Sequence, residues 1–286
     1  MGVNVASSFT NAQRIVVSKG RYYAQFDAVM PALMTKFRLN QGEVSITVNR
    51  YQNATAEALT DGVDMTTSTD ISMDTTSLTT SEYGLKIILT DKMIRQNNDD
   101  AHGVAGKLLG NAMAKYRDQQ ALALFAGITT NTIGAAGTAL IAGHIAAAHS
   151  ILLATPAPGP YVGVFHPYTL KDLWDDLTKY DANGNVPWPD MADAMIAQYI
   201  RGKEKVTGIP IFTSGNLTPD GDDDVISGIF SSEAFALTTQ KAWSTETQRD
   251  ATLRATELVC VADEGFAEIK DDYAVQCTFD AAQETS

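Results

Sequence analysis

The chain has 286 residues, 44% of them hydrophobic and 19% charged, and carries a formal net charge of −13. This composition describes a globular protein with a real core, one large or two small domains, and excludes a disordered chain. The acidic balance excludes a sequence-reading nucleic-acid binder, which needs a basic patch, and no apolar run is long enough to span a bilayer.

The amino terminus, MGVNVASSFTNAQR, lacks the basic-then-apolar order of a secretory signal. Residues 1–39 read as an arm. Apolar side chains are scattered through it, and a weak helical pattern appears only from Tyr22 to Phe37. Such a segment is ordered by packing on something else.

Residues 42–89 have a different character. Val44, Ile46 and Val48 alternate with Ser45, Thr47 and Asn49, which predicts a half-buried strand. A polar excursion of Thr, Ser and Asp follows, with Ile71, Met73 and Leu78 isolated in it. Tyr83 to Leu89 reads as the returning strand. Together they predict a long β-hairpin arm, and a two-stranded ribbon is marginal alone in water. It needs another surface to lie on.

Thr90 and Asp91 are placed to cap a short helix over Lys92–Gln96. From Ala101 the residues Ala105, Leu108, Leu109, Ala112, Met113 and Tyr116 recur at steps of three and four. That spacing predicts one long helix ending at Gly127, with Asp99 or Asp100 as its cap. It would run about 35–40 Å. Ala121–Ala126 is apolar all round, so burial on every side is expected there. Gly103, Gly106 and Gly110 share a stripe. They are either a tolerated weak start to the helix or a groove for another backbone.

A second helix is predicted over Leu140–Ala154, ended by PAPGP. Then YVGVFH reads as a strand and Tyr168–Leu177 as an amphipathic helix. Tyr180–Asp190 reads as a loop, Met191–Lys203 as a helix, Ile209–Thr213 as a strand, and Leu217–Asp224 as an acidic turn. Val225–Phe230 is a strand and Ser231–Ala236 a helical turn. These make an α/β unit. Thr252–Phe279 closes the chain with one or two strands, expected beside the long helix.

Chemistry is sparse. The chain has no phosphate loop, dinucleotide fingerprint, HExxH or nucleophile elbow. His144 and His149, five apart, fall on different helix faces. His166 before Pro167 reads as a strand-end residue. Asp220, Asp222, Asp223 and Asp224 read as a solvated turn, with calcium as the rival reading, and Asp61, Asp64, Asp70 and Asp74 share that ambiguity. Cys260 and Cys277 read as small buried side chains, with a disulfide left open. No residue is singled out as catalytic, cofactor-binding or metal-ligating.

The order of parts then matters more than any one residue. An arm, a Thr-rich hairpin, LTDKMI, a long helix ending ALALFAG, an α/β insert opening strand–HP–helix, and ATLRATELVCVADEGFAEIKDDYAVQCTF succeed one another. This resembles the major capsid proteins of tailed bacteriophages, of the α+β Hong Kong-type (HK97-like) capsid fold. The resemblance implies an N-terminal arm at 1–39 and an extended β-hairpin loop at 40–86. It implies a peripheral domain at 87–156 and 246–286 with a spine helix at 101–126, and an axial α/β domain at 157–245. It implies a structural, non-enzymatic shell protein without cofactors, assembling in the host cytoplasm into pentamers and hexamers around packaged double-stranded DNA and residing in the virion. The implied partners are further copies of itself, a separate scaffolding protein, a portal, a possible decoration protein and non-specifically contacted DNA, with no membrane. Some relatives weld subunits through a lysine in the extended loop. Here no lysine lies between Lys36 and Lys86, so no such crosslink is expected. An encapsulin-like compartment shell and a phage tail or adhesin protein are the alternative roles.

Overall fold

The computed structural model describes residues 28–52, 54, 56–62, 64–65, 68, 70–96, 101–178, 205–206 and 209–283. The loop at Tyr180–Asp190, the helix at Met191–Lys203 and the caps at Asp99 and Asp100 lie outside them.

The weak pattern from Tyr22 to Phe37 does not continue as one helix. Its described part is a short helix, α1 (Met30–Leu33), and a strand, β1 (Thr35–Arg38). Pro31 suits a first turn, and Met34 is already extended. β1 is drawn into a sheet by pairing in parallel with Ala236–Thr239.

β2 (Ser45–Tyr51) forms as the alternation requires. Its partner is not Tyr83–Leu89 but β3 (Met73–Thr79), with Ser45 opposite Thr79 and Tyr51 opposite Met73. The Thr-rich excursion is itself partly strand, because β-branched threonine suits extended chain. Tyr83–Leu89 belongs to β4 (Ser81–Thr90), in a separate four-stranded sheet.

α2 (Asp91–Gln96) starts where Thr90 Oγ1 accepts the Met93 N–H at 3.3 Å. α3 (Ala101–Leu122) tightens into a 3-10 turn over Ala123–Gly127. Ala105, Leu109 and Met113 are buried, as their spacing requires. At its end Ala121, Leu122 and Phe125 are buried, but Ala123 and Ala126 are exposed. The all-round apolar run is therefore one-sided in its packing.

A short strand, β5 (Thr132–Gly134), lies in what reads as linker. Then come α4 (Ala142–Ala154), β6 (Tyr161–Phe165), α5 (Pro167–Thr178), β7 (Lys205–Val206), β8 (Ile209–Thr213) and β9 (Asp224–Ser231). The helical turn expected to Ala236 stops earlier, and β10 (Phe235–Asp250) runs sixteen residues. Its first four residues are buried, but most positions from Lys241 on are exposed, so the period-2 signal fades. β11 (Ala255–Glu268) pairs antiparallel with β10 and with β4. β12 (Ala274–Asp280) ends the chain's regular structure.

Two larger sheets result. One has the order β1-β10-β11-β4, and the other β5-β12-β9-β6-β8-β7. β11 lies against α3, where Leu258, Cys260 and Ala262 meet Ala105, Leu109 and Met113. β12 instead pairs with β9 and β5 in the six-stranded sheet. In that sheet neighbouring residues enter different cores. Val164 and Phe230 join one, while Phe165 and Ile229 join the other with α4. Continuous apolar runs are what burial on both faces demands. Phe125, Phe230 and Phe235 form one aromatic cluster with centroids 5.2–5.8 Å apart. A Cβ at Gly228 would stand 2.6 Å from the Phe125 ring, so only glycine admits that ring.

Candidate assembly surfaces

The hairpin β2–β3 is held at its root and bare beyond it. Leu78 is 1% exposed and packs with Ala236, Ile269, Phe37 and Val48. At the turn into β4 the chain passes directly over Gly265, where a Cβ would overlap the Thr79 carbonyl. Gln240 Nε2 donates to the Glu43 carbonyl at 3.0 Å, tying the other side of the root. Further out, Tyr51, Leu59, Met65, Ile71 and Met73 are exposed, Ile71 at 86%. Exposed apolar side chains on a thin ribbon mark a surface awaiting a partner.

Glu264 connects the root to α3. Its carboxylate, 5% exposed, accepts the Tyr83 hydroxyl at 2.7 Å and pairs with Arg117 Nε at 2.9 Å. Burial, then the Glu264 hydrogen bond, hold the Tyr83 hydroxyl well above its ordinary range, so it stays a neutral donor. Tyr116 of α3 stacks on Tyr83 at 4.8 Å.

The first half of α3 turns His102, Gly103, Gly106, Lys107 and Leu108 outward. A Cβ at Gly106 would meet nothing within 4 Å. At Gly110 it would meet the Trp243 indole at 3.2 Å. Among the described residues no backbone lies on Gly106 or Gly110. The neighbour at Gly110 is an aromatic side chain from β10, and Gly106 is open.

Asp118, fully buried, sits where the helical pattern gives no warning of it. Its Oδ1 accepts the N–H groups of Val29 and Met30 at 2.9 and 2.8 Å. Its Oδ2 accepts the Ser214 hydroxyl at 3.0 Å and the Asn216 amide at 2.8 Å. One carboxylate thus moors the described start of the arm to α3 and to the loop after β8.

Of the residues weighed for chemistry, His144, His149, His166, Asp220 and Asp224 have structural partners. His166 Nδ1 accepts the Tyr168 N–H at 3.3 Å and so caps α5, and burial holds its pKa below the usual value. His144 lies on Phe279 and His149 edge-on to Tyr161, at 4.9 and 5.6 Å. Asp220 Oδ1 accepts the N–H groups of Asp222 and Asp224, and Asp224 accepts that of Gly137. Among the described residues no group of three or more His, Cys, Asp and Glu could hold a metal. Cys260 and Cys277 are free, buried and in different sheets, and burial pushes the Cys277 thiol up to about 12. Among the described residues no helix is long and apolar enough to cross a membrane.

Against known proteins, a model of the phage capsid protein family matches residues 73–275. No curated protein matches the chain. A structure from Mycobacterium phage Che8 is similar at 16% identity and a TM-score of 0.70, covering 93% of this chain and 96% of that one. The capsid of cyanophage P-SCSP1u matches at 15% identity and a TM-score of 0.67, with 94% and 93% covered. The capsid of a native GTA particle matches at 11% and 0.67, with 97% and 100% covered. At these identities the likeness is one of fold. It is the α+β Hong Kong-type fold.

Proposed function

The chain belongs to the phage capsid protein family, and on that footing we propose that its copies assemble through pentamers and hexamers into an icosahedral head around packaged DNA. It is a structural protein of the major capsid type, it associates with itself, and its place is the virion. The observation that carries the reading is the family match from the return strand of the hairpin to β12, joined to an arm whose apolar side chains are bare.

The parts have consistent roles in this scheme. The extended loop at 40–86 reaches to a neighbour, so completion of the arm is coupled to assembly. The spine helix belongs to the peripheral domain, and the 157–245 region lies near the capsomer centre. Many modest contacts, repeated in every copy, add up to a durable shell while each stays reversible. Scaffolding protein, portal and decoration protein are further partners of this scheme, with assembly in the host cytoplasm. The role is structural rather than catalytic.

Negative-stain microscopy of purified recombinant protein tests the proposal. Closed shells or capsomer rings are expected. A monomer at all concentrations and salt conditions, with no rings, overturns it.

A further inference from the structure

We propose that Asp61–Gly62, at a turn in the polar excursion of the arm, is a site of spontaneous main-chain rearrangement, where a succinimide ring closes and reopens to isoaspartate. The site goes beyond the shell role. Its effect on assembly rests on the reading that the arm joins copies.

Asp–Gly and Asn–Gly pairs are prone to this chemistry because glycine puts no side chain in the way of ring closure. The chain has three such pairs, Asp61–Gly62, Asn183–Gly184 and Asp220–Gly221. Asn183–Gly184 lies outside the described residues. The structure separates the other two, although both are exposed. Asp220 is pinned. Its Oδ1 accepts the N–H groups of Asp222 and Asp224 at 3.0 and 2.9 Å. Its own N–H donates to the Asp224 carbonyl at 2.9 Å, and its carbonyl accepts the Asp223 N–H at 3.4 Å. To reach the Gly221 nitrogen, the Asp220 carboxyl has to give up that turn. Asp61 has no such tie. Among the described residues neither its carboxylate nor the Gly62 N–H has a hydrogen-bond partner. Gly62 stands at φ +78°, with nothing within 4 Å of the place a Cβ would take. Glycine moves freely into and out of that conformation, so the turn yields at little cost.

The reaction needs only water. The Gly62 amide nitrogen attacks the side-chain carboxyl carbon of Asp61. A C–N bond forms, and the carboxyl's hydroxyl leaves with the amide proton as one water. A second water then opens the ring. Attack at the side-chain carbonyl restores aspartate. Attack at the main-chain carbonyl breaks the original peptide bond and leaves the chain running through Cβ and Cγ of residue 61. The main chain is then one methylene longer between the exposed Leu59 and Met65.

The test is incubation of the folded subunit in heavy-oxygen water at neutral pH, followed by tryptic mass spectrometry. Trypsin places the three pairs on separate peptides, 51–86, 180–201 and 206–241. Peptide 51–86 should gain heavy oxygen several-fold faster than 206–241 and split into aspartyl and isoaspartyl forms on chromatography. In denaturant the two should label at similar rates, since only the fold protects Asp220. Asp61→Glu, which closes no five-membered ring, should remove the label from 51–86. Equal labelling of 51–86 and 206–241 in the folded subunit, or label that persists in Asp61→Glu, overturns the site. After assembly, the isoaspartyl form should be several-fold scarcer in shells than in the unassembled pool, and equal shares overturn the effect on assembly. If no shells form, the assembly reading fails, and the labelling still decides the site.

Discussion

The Asp118 carboxylate accepts the backbone N–H of Met30 at 2.8 Å, across 88 residues of chain. Its other oxygen serves Ser214 and Asn216. Removing it strands several buried donors at once. Asp118→Ala should destabilise the subunit by about 3 kcal/mol, read by chemical denaturation, and should open the chain near Val29 to protease. A change under about 0.5 kcal/mol would show that the buried donors find other acceptors.

Two glycines separate folding from assembly. Gly265→Ala forces a Cβ into the Thr79 carbonyl, so the hairpin root must shift. The expected result is loss of soluble subunit or a melting point several degrees lower. Gly106→Leu meets open space in the single chain. It should cost the subunit little and impair shell formation, judged by melting curves beside sedimentation.

Glu268 provides the pH prediction. Burial, then the Asp271 carboxylate, raise its pKa above 4.5, with Arg50 opposing. An acid whose folded pKa is raised binds its proton more tightly when folded, so stability from this group falls as pH climbs through and above 4.5. Glu268→Gln should therefore melt higher than the parent at pH 7, and the gap should close toward pH 4. An equal gap at both values would rule out this titration.

The thiols give a simple check. Cys260 and Cys277 are free and buried. Ellman's reagent should find almost no thiol in the folded subunit and both after denaturation, with or without reductant.

Covalent welding through the extended loop is not expected, because no lysine lies between Lys36 and Lys86. Mature particles boiled in detergent should run as one subunit band. A ladder of multiples would refute this.

Much of the fold is legible in the residues. Ala105, Leu109 and Met113 face one core, and a period of 3.6 shows it directly. The caps at Thr90 and the break at His166–Pro167 are local chemistry and stand where they are read. Non-local pairing is less visible. Thr75 and Thr76 look like loop, yet pair with Asn49 and Val48. β10 hides because its outer half is wet on both sides. Asp118 hides because a carboxylate on a helix reads as solvated, and its donors come from 88 to 98 residues away. Of the assembly surfaces, the arm is plain from its own composition. The glycine stripe is visible too, but not the Trp243 ring that walls it.

The cluster of Phe125, Phe230 and Phe235 has a mechanical consequence. The spine, the six-stranded layer and the long ribbon of β10 all converge on those three rings. A push delivered to any one of them by a neighbour is handed to the others without slack. The subunit should thus tilt as a rigid lever about its contacts, leaving the thin hairpin as the part that bends.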